Sequence, residues 1–273
     1  MKKYLFFLFI LIVGNVYPQN IPKFITDNYS YLGKDGRIFT FSKDGKMEIR
    51  NDGEFDDYFK RGYYNLIEEN GINYLSVVWD DNTQDKYLIL IQPLFYSDGQ
   101  ILSFNLYNQN GYPFFNMAAL TDTYRAKYGH LIIDTKIISA SSTLIEGNTV
   151  YCTDNLDERI GVCWAVKGKG IGEKIIFKNY EGKGYASLYI SIGFVSFDKP
   201  YLYRQNFRLK KLKISYDDIT EIIELKDTPN LQYLSNCWPK SNINEIHIEI
   251  LKVYPGTKYN DTCINFFGWD WSQ

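Results

Sequence analysis

Several features that mark common classes of protein are scarce in this chain. Its 30 basic and 32 acidic residues give a net charge of -2, so there is no basic excess to attract nucleic acid. The only two histidines, His130 and His247, each lie far from any cysteine. Because zinc sites usually take closely spaced cysteines, or cysteines with histidines, we expect neither a nucleic-acid partner nor a zinc centre.

A long apolar run is missing too. Lys2 and Lys3 precede an apolar run over residues 4–13, which is much shorter than the ~20 residues that a membrane-spanning helix needs. A positive start, a short apolar run and then small or polar residues are typical of an export signal. We therefore predict a signal peptide over residues 1–19, with its cleavage point left open. The mature protein is expected to be secreted, periplasmic or on the cell surface, and not to span the membrane.

Cysteine is rare, with four residues in the chain. An even number of cysteines in an exported protein indicates disulfides. Four cysteines allow three pairings, of which we predict Cys152 with Cys163 and Cys237 with Cys263. The sequence alone does not exclude the other two pairings.

Aromatic residues, in contrast, are abundant, at 17% of the chain. Between residues 31 and 107, short aromatic and β-branched runs alternate with turns such as Asp44-Gly45 and Asn70-Gly71. Asp-Gly and Asn-Gly are strong hairpin signals, because these residues accept the positive φ of tight turns. The predicted strands cover residues 37–41, 46–50, 63–68, 74–79, 86–92 and 101–107. We predict that residues 20–115 form an antiparallel meander or a small barrel, whose function the sequence does not indicate.

Residues 137–273 also have an all-β pattern. The predicted strands cover residues 163–166, 173–178, 186–192, 208–215, 219–225 and 245–254. In the last of these, Ile246, Ile248 and Ile250 share one face, so His247 on the other face is expected to point to solvent rather than act in catalysis. Residues 116–136 are interpreted as a connector between the halves, with a helix predicted over residues 116–126.

The string KGKGIGEKIIF, residues 167–177, has the look of a phosphate-binding loop. A P-loop needs Gly-Lys-Ser/Thr at its end, but Glu173, Lys174 and Ile175 stand there. The dinucleotide-binding motif fails as well, since Glu173 replaces its third glycine and both motifs must open a helix. A β-type run follows instead, so we predict a tight loop that leads into a strand.

Six strings in one order carry a family resemblance: SASST, DNLDERIGVCW, GKGIGEKIIF, GF, NFRLKKLKI and VYPGTKYNDTC. Over residues 139–268 they resemble the NADase-type glycan-binding domain, which is similar to the translocation domain of streptococcal NAD glycohydrolase and to discoidin-like, coagulation-factor type C domains. The resemblance implies an eight-stranded jelly-roll sandwich, with ligand loops at one end and a glycan-binding role. It also implies that Glu173, as part of the signature, braces its loop.

The chain departs from this family pattern in its first long loop. Members usually carry Asp-Gly-Asp there, and related modules often hold calcium through such oxygen ligands. Here the stretch is Asp157-Glu158-Arg159, and a cationic Arg159 disfavours calcium. The acid that usually follows Trp164 in the family is also missing; if that acid touches the ligand, the specificity of this chain is changed or lost. We expect no cofactor.

Sugar sites combine an aromatic ring, which stacks on the apolar face of the sugar, with planar hydrogen-bonding groups for the hydroxyls. The candidate ligand-binding residues on this reasoning are Asn155, Asp157, Phe194, Tyr201, Tyr203, Asn206 and Arg208. For Asn206 and Arg208 the alternative is that they brace loops. Trp164 is expected to anchor the core instead of binding ligand.

The function predicted from the sequence is glycan binding by an exported protein that is not an enzyme. Its expected partner is a glycan or a glycosylated surface. Two alternatives stay open. The second half could deliver a toxin-like or NAD-cleaving first half, although no histidine-bearing catalytic constellation is present. The aromatic first half could instead bind a protein partner at the cell surface.

Overall fold

The computed structural model describes residues 30–33, 37–51, 59–96, 99–119, 137–157, 159–178, 186–216, 218–235 and 245–271. The predicted signal peptide, most of the predicted connector and Cys237 lie outside these ranges. In the part of the chain that is described, no helix has the length and apolar character to span a bilayer.

The first half is a closed antiparallel barrel in which each strand pairs with the next and the last pairs with the first. The turns at Asp44-Gly45 and Asn70-Gly71 fall where the sequence predicts them, and Asn70 and Gly71 both take positive φ, 55° and 86°. The strands are β1 (Ser30–Gly33), β2 (Arg37–Phe41), β3 (Lys46–Asn51), β4 (Phe59–Glu69), β5 (Ile72–Trp79), β6 (Gln84–Tyr96), β7 (Gly99–Tyr107) and β8 (Pro113–Ala119). The predicted small barrel is confirmed.

Side chains fill the interior of the barrel. Along each strand alternate residues point inward, and the rings of Phe41, Tyr64 and Phe104 meet edge to face at centroid distances of 5.3 and 6.2 Å. Phe39, Phe41 and Met47 have no exposed surface. An eight-stranded barrel is just wide enough to be filled in this way, so the interior is a core.

The helix predicted over residues 116–126 is wrong in its first part. Residues 116–119 belong to β8, which hydrogen-bonds to β7 on one side and β1 on the other and so closes the barrel. Ala118 and Ala119 favour helix in isolation, but pairing on both edges overrides that weak preference. Residues 120–126 lie outside the described ranges.

The second half is a mixed nine-stranded sheet with a small hairpin beside it. Its strands are β9 (Ile137–Ala140), β10 (Leu144–Glu146), β11 (Thr149–Tyr151), β12 (Trp164–Lys167), β13 (Lys174–Lys178), β14 (Ala186–Ile192), β15 (Phe207–Tyr216), β16 (Ile219–Glu224), β17 (Gln232–Ser235), β18 (Glu245–Tyr254) and β19 (Asp261–Trp271). A 3₁₀ turn covers Thr153–Asn155 and a short helix, α1, covers Tyr201–Gln205.

One apolar core lies inside this half. Strands β12 to β15 and β17 to β19 all send side chains into it, so the sheet folds over on itself in the manner of a β-sandwich. The alternation in β18 is confirmed, with Ile248 and its neighbours buried and the side chain of His247 41% exposed. Trp164 is fully buried, and its ring N–H donates to the Ser142 carbonyl at 3.1 Å. It is a core anchor, as expected.

The glycine string forms a tight loop that leads into β13. Gly170 has a φ of 58°, and a Cβ there would lie 2.4 Å from a methyl group of Val166, so the loop requires glycine at this position. The Glu173 carboxylate accepts a hydrogen bond from the Ser141 hydroxyl, which in turn accepts from the Lys174 N–H at 2.7 Å. The bracing role expected for Glu173 is thus seen in the structure.

Among the described cysteines, Cys152, Cys163 and Cys263 are all free. The predicted bond between Cys152 and Cys163 is not formed. The Cys163 side chain lies next to Cys263 instead. Ala165 pairs with Cys263 across β12 and β19, and Cys163, two residues before Ala165, joins both in one buried cluster. Burial raises the pKa of the Cys163 thiol. The predicted bond between Cys237 and Cys263 involves a residue outside the described ranges.

The two halves pack against each other through an apolar interface. The outer faces of β5, β6 and β7 meet the second half in a cluster that includes Tyr74, Leu90, Tyr189 and Tyr203. Hydrogen bonds also cross this interface. The Tyr74 hydroxyl donates to the Phe197 carbonyl at 2.9 Å, and the backbone of Ile91 bonds to Asn230 and Leu231 at 3.0 and 2.9 Å. This contact fixes the loops of one half against the other.

Candidate ligand-binding site

A cavity of about 660 Å³ lies between the two halves. The barrel contributes residues 109–112, the loop between β7 and β8. The second half contributes residues from the β10–β11 hairpin, from the loop after Asp157, from residues 194–199 and from the start of β19. Ligand pockets in proteins typically measure about 300–1,000 Å³, so the cavity has a suitable size.

Aromatic side chains line much of this cavity: Tyr112, Tyr151, Phe194 and Tyr259. Tyr112 is 55% exposed and Tyr259 is 38% exposed. The Tyr259 N–H donates to the Gln205 carbonyl at 2.9 Å, which holds its turn against α1. One face of the Tyr259 ring is covered by the Lys258 ammonium, 4.8 Å from the ring centre.

Arg159 brings a positive charge to the lining. Asp157 accepts from the Arg159 side chain at 2.6 Å and from its backbone N–H at 2.8 Å. The hydrogen bond and charge of Asp157 raise the pKa of Arg159. The guanidinium carbon also lies 6.0 Å from the centre of the Tyr112 ring. Asp157 therefore serves to orient Arg159.

The cavity lining also carries negative charge, from Asp198 and from two carboxylates whose surroundings shift nearby pKa values. Asp261, at the start of β19, and Glu146, on the β10–β11 hairpin, both line the cavity. Burial, and next the charge of Glu146, raise the pKa of Asp261, while Lys167 acts against them. Burial and the charge of Glu146 also raise the pKa of Tyr151. A partly desolvated carboxylate such as Asp261 is a strong acceptor for ligand hydroxyls. No group of three metal-binding side chains converges in the described ranges.

Two of the residues predicted from the sequence line the cavity, Phe194 and Asn206. Phe194 packs against the Cys163–Cys263 cluster. The Asn206 side chain donates to the Leu202 carbonyl at 2.9 Å and caps α1, so it braces the helix as well as lining the cavity. Asp157 does not line the cavity itself, but its carboxylate orients Arg159, which does.

The other predicted residues have structural roles or lie elsewhere. Asn155 donates to the carbonyls of Val150 and Cys163 at 3.1 and 3.0 Å, which ties the 3₁₀ turn to the strands around it. Tyr201 is 41% exposed on α1 and is not among the lining residues.

Tyr203 and Arg208 are buried around Asp227. The Tyr203 hydroxyl donates to Asp227 at 3.1 Å, and Arg208 donates to it at 2.7 and 3.1 Å. Arg208 also donates to the carbonyls of Tyr203 and Asn206 at 3.1 and 2.8 Å. Arg208 therefore braces loops, as the alternative prediction stated. Tyr203 was predicted to bind ligand but is a buried core residue.

Sequence reasoning missed Tyr112, Glu146, Tyr151 and Tyr259. Tyr259 and Asp261 belong to the string VYPGTKYNDTC, which we used only as part of the family resemblance, so the signal was present but was not assigned to the site. Tyr112 carries no such signal. It follows Asn110-Gly111 in the barrel, and only the packing of the halves brings it to the cavity.

The second half is thus a β-sandwich-like domain whose loops border an aromatic and polar cavity. The sequence profile of the NAD glycohydrolase translocation F5/8 type C domain matches residues 127–266, just over half of the chain. The chain belongs to this family, as its sequence strings indicate. F5/8 type C domains often bind glycans. No curated protein matches the sequence.

Solved structures that are similar at low identity include the following three. The arabinofuranosyltransferase AftD from Mycobacteria is 11% identical with a TM-score of 0.37, and the match covers 50% of this chain and 10% of that one. Clostridium perfringens ZmpB, a catalytic domain with its CBM51-1 and CBM51-2 domains, is 10% identical with a TM-score of 0.29, covering 89% and 31%. A glycoside hydrolase is 10% identical with a TM-score of 0.30, covering 88% and 69%. No function is carried over from them.

Proposed function

We propose that this is an exported, non-catalytic carbohydrate-binding protein, and that the cavity between its halves is the sugar site. The observation that carries the proposal is the lining itself. Aromatic rings stand beside charged and amide groups in a cavity of about 660 Å³. Membership in a family whose members often bind glycans supports the same conclusion.

The chemistry of a sugar fits these groups. The C–H face of a pyranose ring packs on an aromatic side chain, for which Phe194 and Tyr259 are available. The hydroxyls then need donors and acceptors at fixed positions. Arg159, oriented by Asp157, supplies N–H donors, and Asp261 supplies an acceptor. Charged hydrogen bonds of this kind are stronger than neutral ones, so a few of them give useful affinity.

A glycan array with the mature protein tests the proposal, followed by calorimetric titration with the strongest sugar. We expect dissociation constants that worsen about two- to tenfold in Phe194→Ala, the effect of losing one stacked ring. The same titrations are analysed for new reducing ends, since none are expected from a protein without catalysis. Absence of binding to every sugar, with and without calcium, would refute glycan recognition.

A delivery role is the second candidate, favoured by the translocation function in the family's description. In that case the first half would carry the activity that the second half delivers. Incubating the full chain with NAD tests this, and release of nicotinamide would overturn the non-catalytic proposal.

A further inference from the structure

The match to the family begins at residue 127, so it does not include the barrel and indicates no role for it. We infer that the barrel is part of the ligand site: its β7–β8 loop, residues 108–112, forms one wall of the cavity and selects among sugars. This inference rests on the proposed function. It assigns specificity to a half of the chain that lies outside the glycan-binding module.

The loop is held in one conformation by its own hydrogen bonds. The Gly111 N–H donates to the Asn108 carbonyl at 3.0 Å, and the Asn110 N–H donates to the Asn108 side chain at 2.9 Å. Gly111 takes a φ of 81°, which glycine tolerates at no steric cost. A wall with this degree of internal bonding is pre-organised, and less entropy is lost when a ligand binds it.

The loop is also joined directly to the second half. The Ile160 N–H donates to the Gly111 carbonyl at 2.8 Å, and the next N–H, of Gly161, donates to the Val195 carbonyl at 2.7 Å. A Cβ on Gly111 would lie 2.4 Å from the Ile160 carbonyl oxygen. The two backbones therefore approach closely at this point, between Arg159 and the residues around Phe194 that line the same cavity.

The side chains of the loop complement those across the cavity. Gln109 and Asn110 present amide groups, which can both donate to and accept from hydroxyls. Tyr112 presents an aromatic ring within 6.0 Å of the Arg159 guanidinium. Gln109 and Asn110 are exposed in the free protein, and a bound sugar that covers them without the matching hydroxyl leaves an amide unpaired. The amides of the barrel loop are thus suited to distinguish sugars that differ in one hydroxyl.

The test titrates the full chain with the sugar found on the array. We expect Tyr112→Ala to weaken binding about two- to tenfold and Tyr112→Phe to weaken it less, because the phenylalanine keeps the stacking ring. Gln109→Ala is expected to change the order of preference among sugars that differ at one hydroxyl. The control is Tyr63→Ala, which removes a barrel tyrosine that is 57% exposed and does not line the cavity. Thermal melts check that each variant is folded.

The possible results distinguish failure of this inference from failure of the proposed function. If the wild type binds a sugar and both Tyr112→Ala and Gln109→Ala bind it with unchanged affinity and preference, the barrel has no part in recognition and only the inference fails. If Tyr63→Ala weakens binding as much as Tyr112→Ala, the inference also fails, since the effect is not local to the cavity. If the wild type binds no sugar, both fail together.

Discussion

The buried ion pair between Arg208 and Asp227 gives the sharpest stability test. The side chain of Arg208 is 4% exposed and that of Asp227 is 26% exposed. Asp227 also accepts from Arg204 at 2.8 Å. The substitution Asp227→Asn keeps the shape of the side chain but removes the only carboxylate that bonds to Arg208 in the described ranges. A buried guanidinium then loses its counter-charge.

The magnitude follows from the surroundings of Arg208. Removing one partner of a buried pair costs about 3–5 kcal/mol. Arg208 keeps its hydrogen bonds to backbone carbonyls, and Asp227 is partly solvated, so we expect a loss at or slightly below the lower limit of this range, about 2–3 kcal/mol. With a urea m-value of about 2–3 kcal/mol/M, the midpoint of unfolding shifts down by about 1 M.

Urea unfolding followed by tryptophan fluorescence measures this shift. Asp44→Asn is the matched control, because the same substitution removes a carboxylate that pairs with Lys46 on the surface, where both side chains are about half exposed. We expect no change of midpoint in that variant, since exposed pairs contribute little. An Asp227→Asn midpoint equal to that of the wild type would refute the reasoning.

The pH dependence has a defined sign. Burial acts to raise the pKa of Asp227, but hydrogen bonding and charge from Arg208, together with Arg204, lower it overall. A carboxyl whose pKa is lower in the folded state stabilises the protein above its unfolded pKa, and this stability is lost as the pH falls through the folded pKa. The difference between wild type and Asp227→Asn is therefore expected to shrink in acid.

Three further expectations concern the site, the thiols and the N-terminus. Because the pKa of Asp261 is raised, sugar binding should weaken as the pH falls towards that pKa, and this loss should begin at a higher pH than for an ordinary aspartate. In Asp261→Asn the affinity should depend less on pH. Iodoacetamide applied to the native protein should label the half-buried Cys152 and spare the buried Cys163, whereas peptide mapping that finds these two joined would contradict the structure. Removing residues 1–19 should retain the protein inside the producing cell, as immunoblots of fractions would show; export of the truncated chain would contradict the proposed signal.

The strands and turns of the barrel could largely be predicted, because each is specified by residues that are close together in the sequence. Asn70-Gly71 and Asp44-Gly45 specify hairpin turns within a few residues, and the alternating runs between them specify strands. The closing strand β8 was not predictable in this way. Its pairing with β1 depends on residues far apart in the chain, and its alanines locally favour helix.

The candidate site could be predicted only in part, for a related reason. Phe194 was found because it follows Gly193 in a loop of the recognised module. Arg208 was proposed for ligand binding because arginine suits sugar hydroxyls, but burial beside Asp227 uses its donors inside the protein. Tyr112 reaches the cavity only through the packing of the barrel on the second half, and no local sequence pattern encodes that contact.

The central claim is that the cavity between the halves binds sugar, and a matched pair of tyrosine variants tests it most directly. Tyr259 lines the cavity and is 38% exposed, whereas Tyr201 lies outside it and is 41% exposed. Titrated with the sugar selected on the array, Tyr259→Ala should bind about two- to tenfold more weakly than the wild type, and Tyr201→Ala should bind equally well. Equal affinities in both variants, or a loss confined to Tyr201→Ala, would contradict the account.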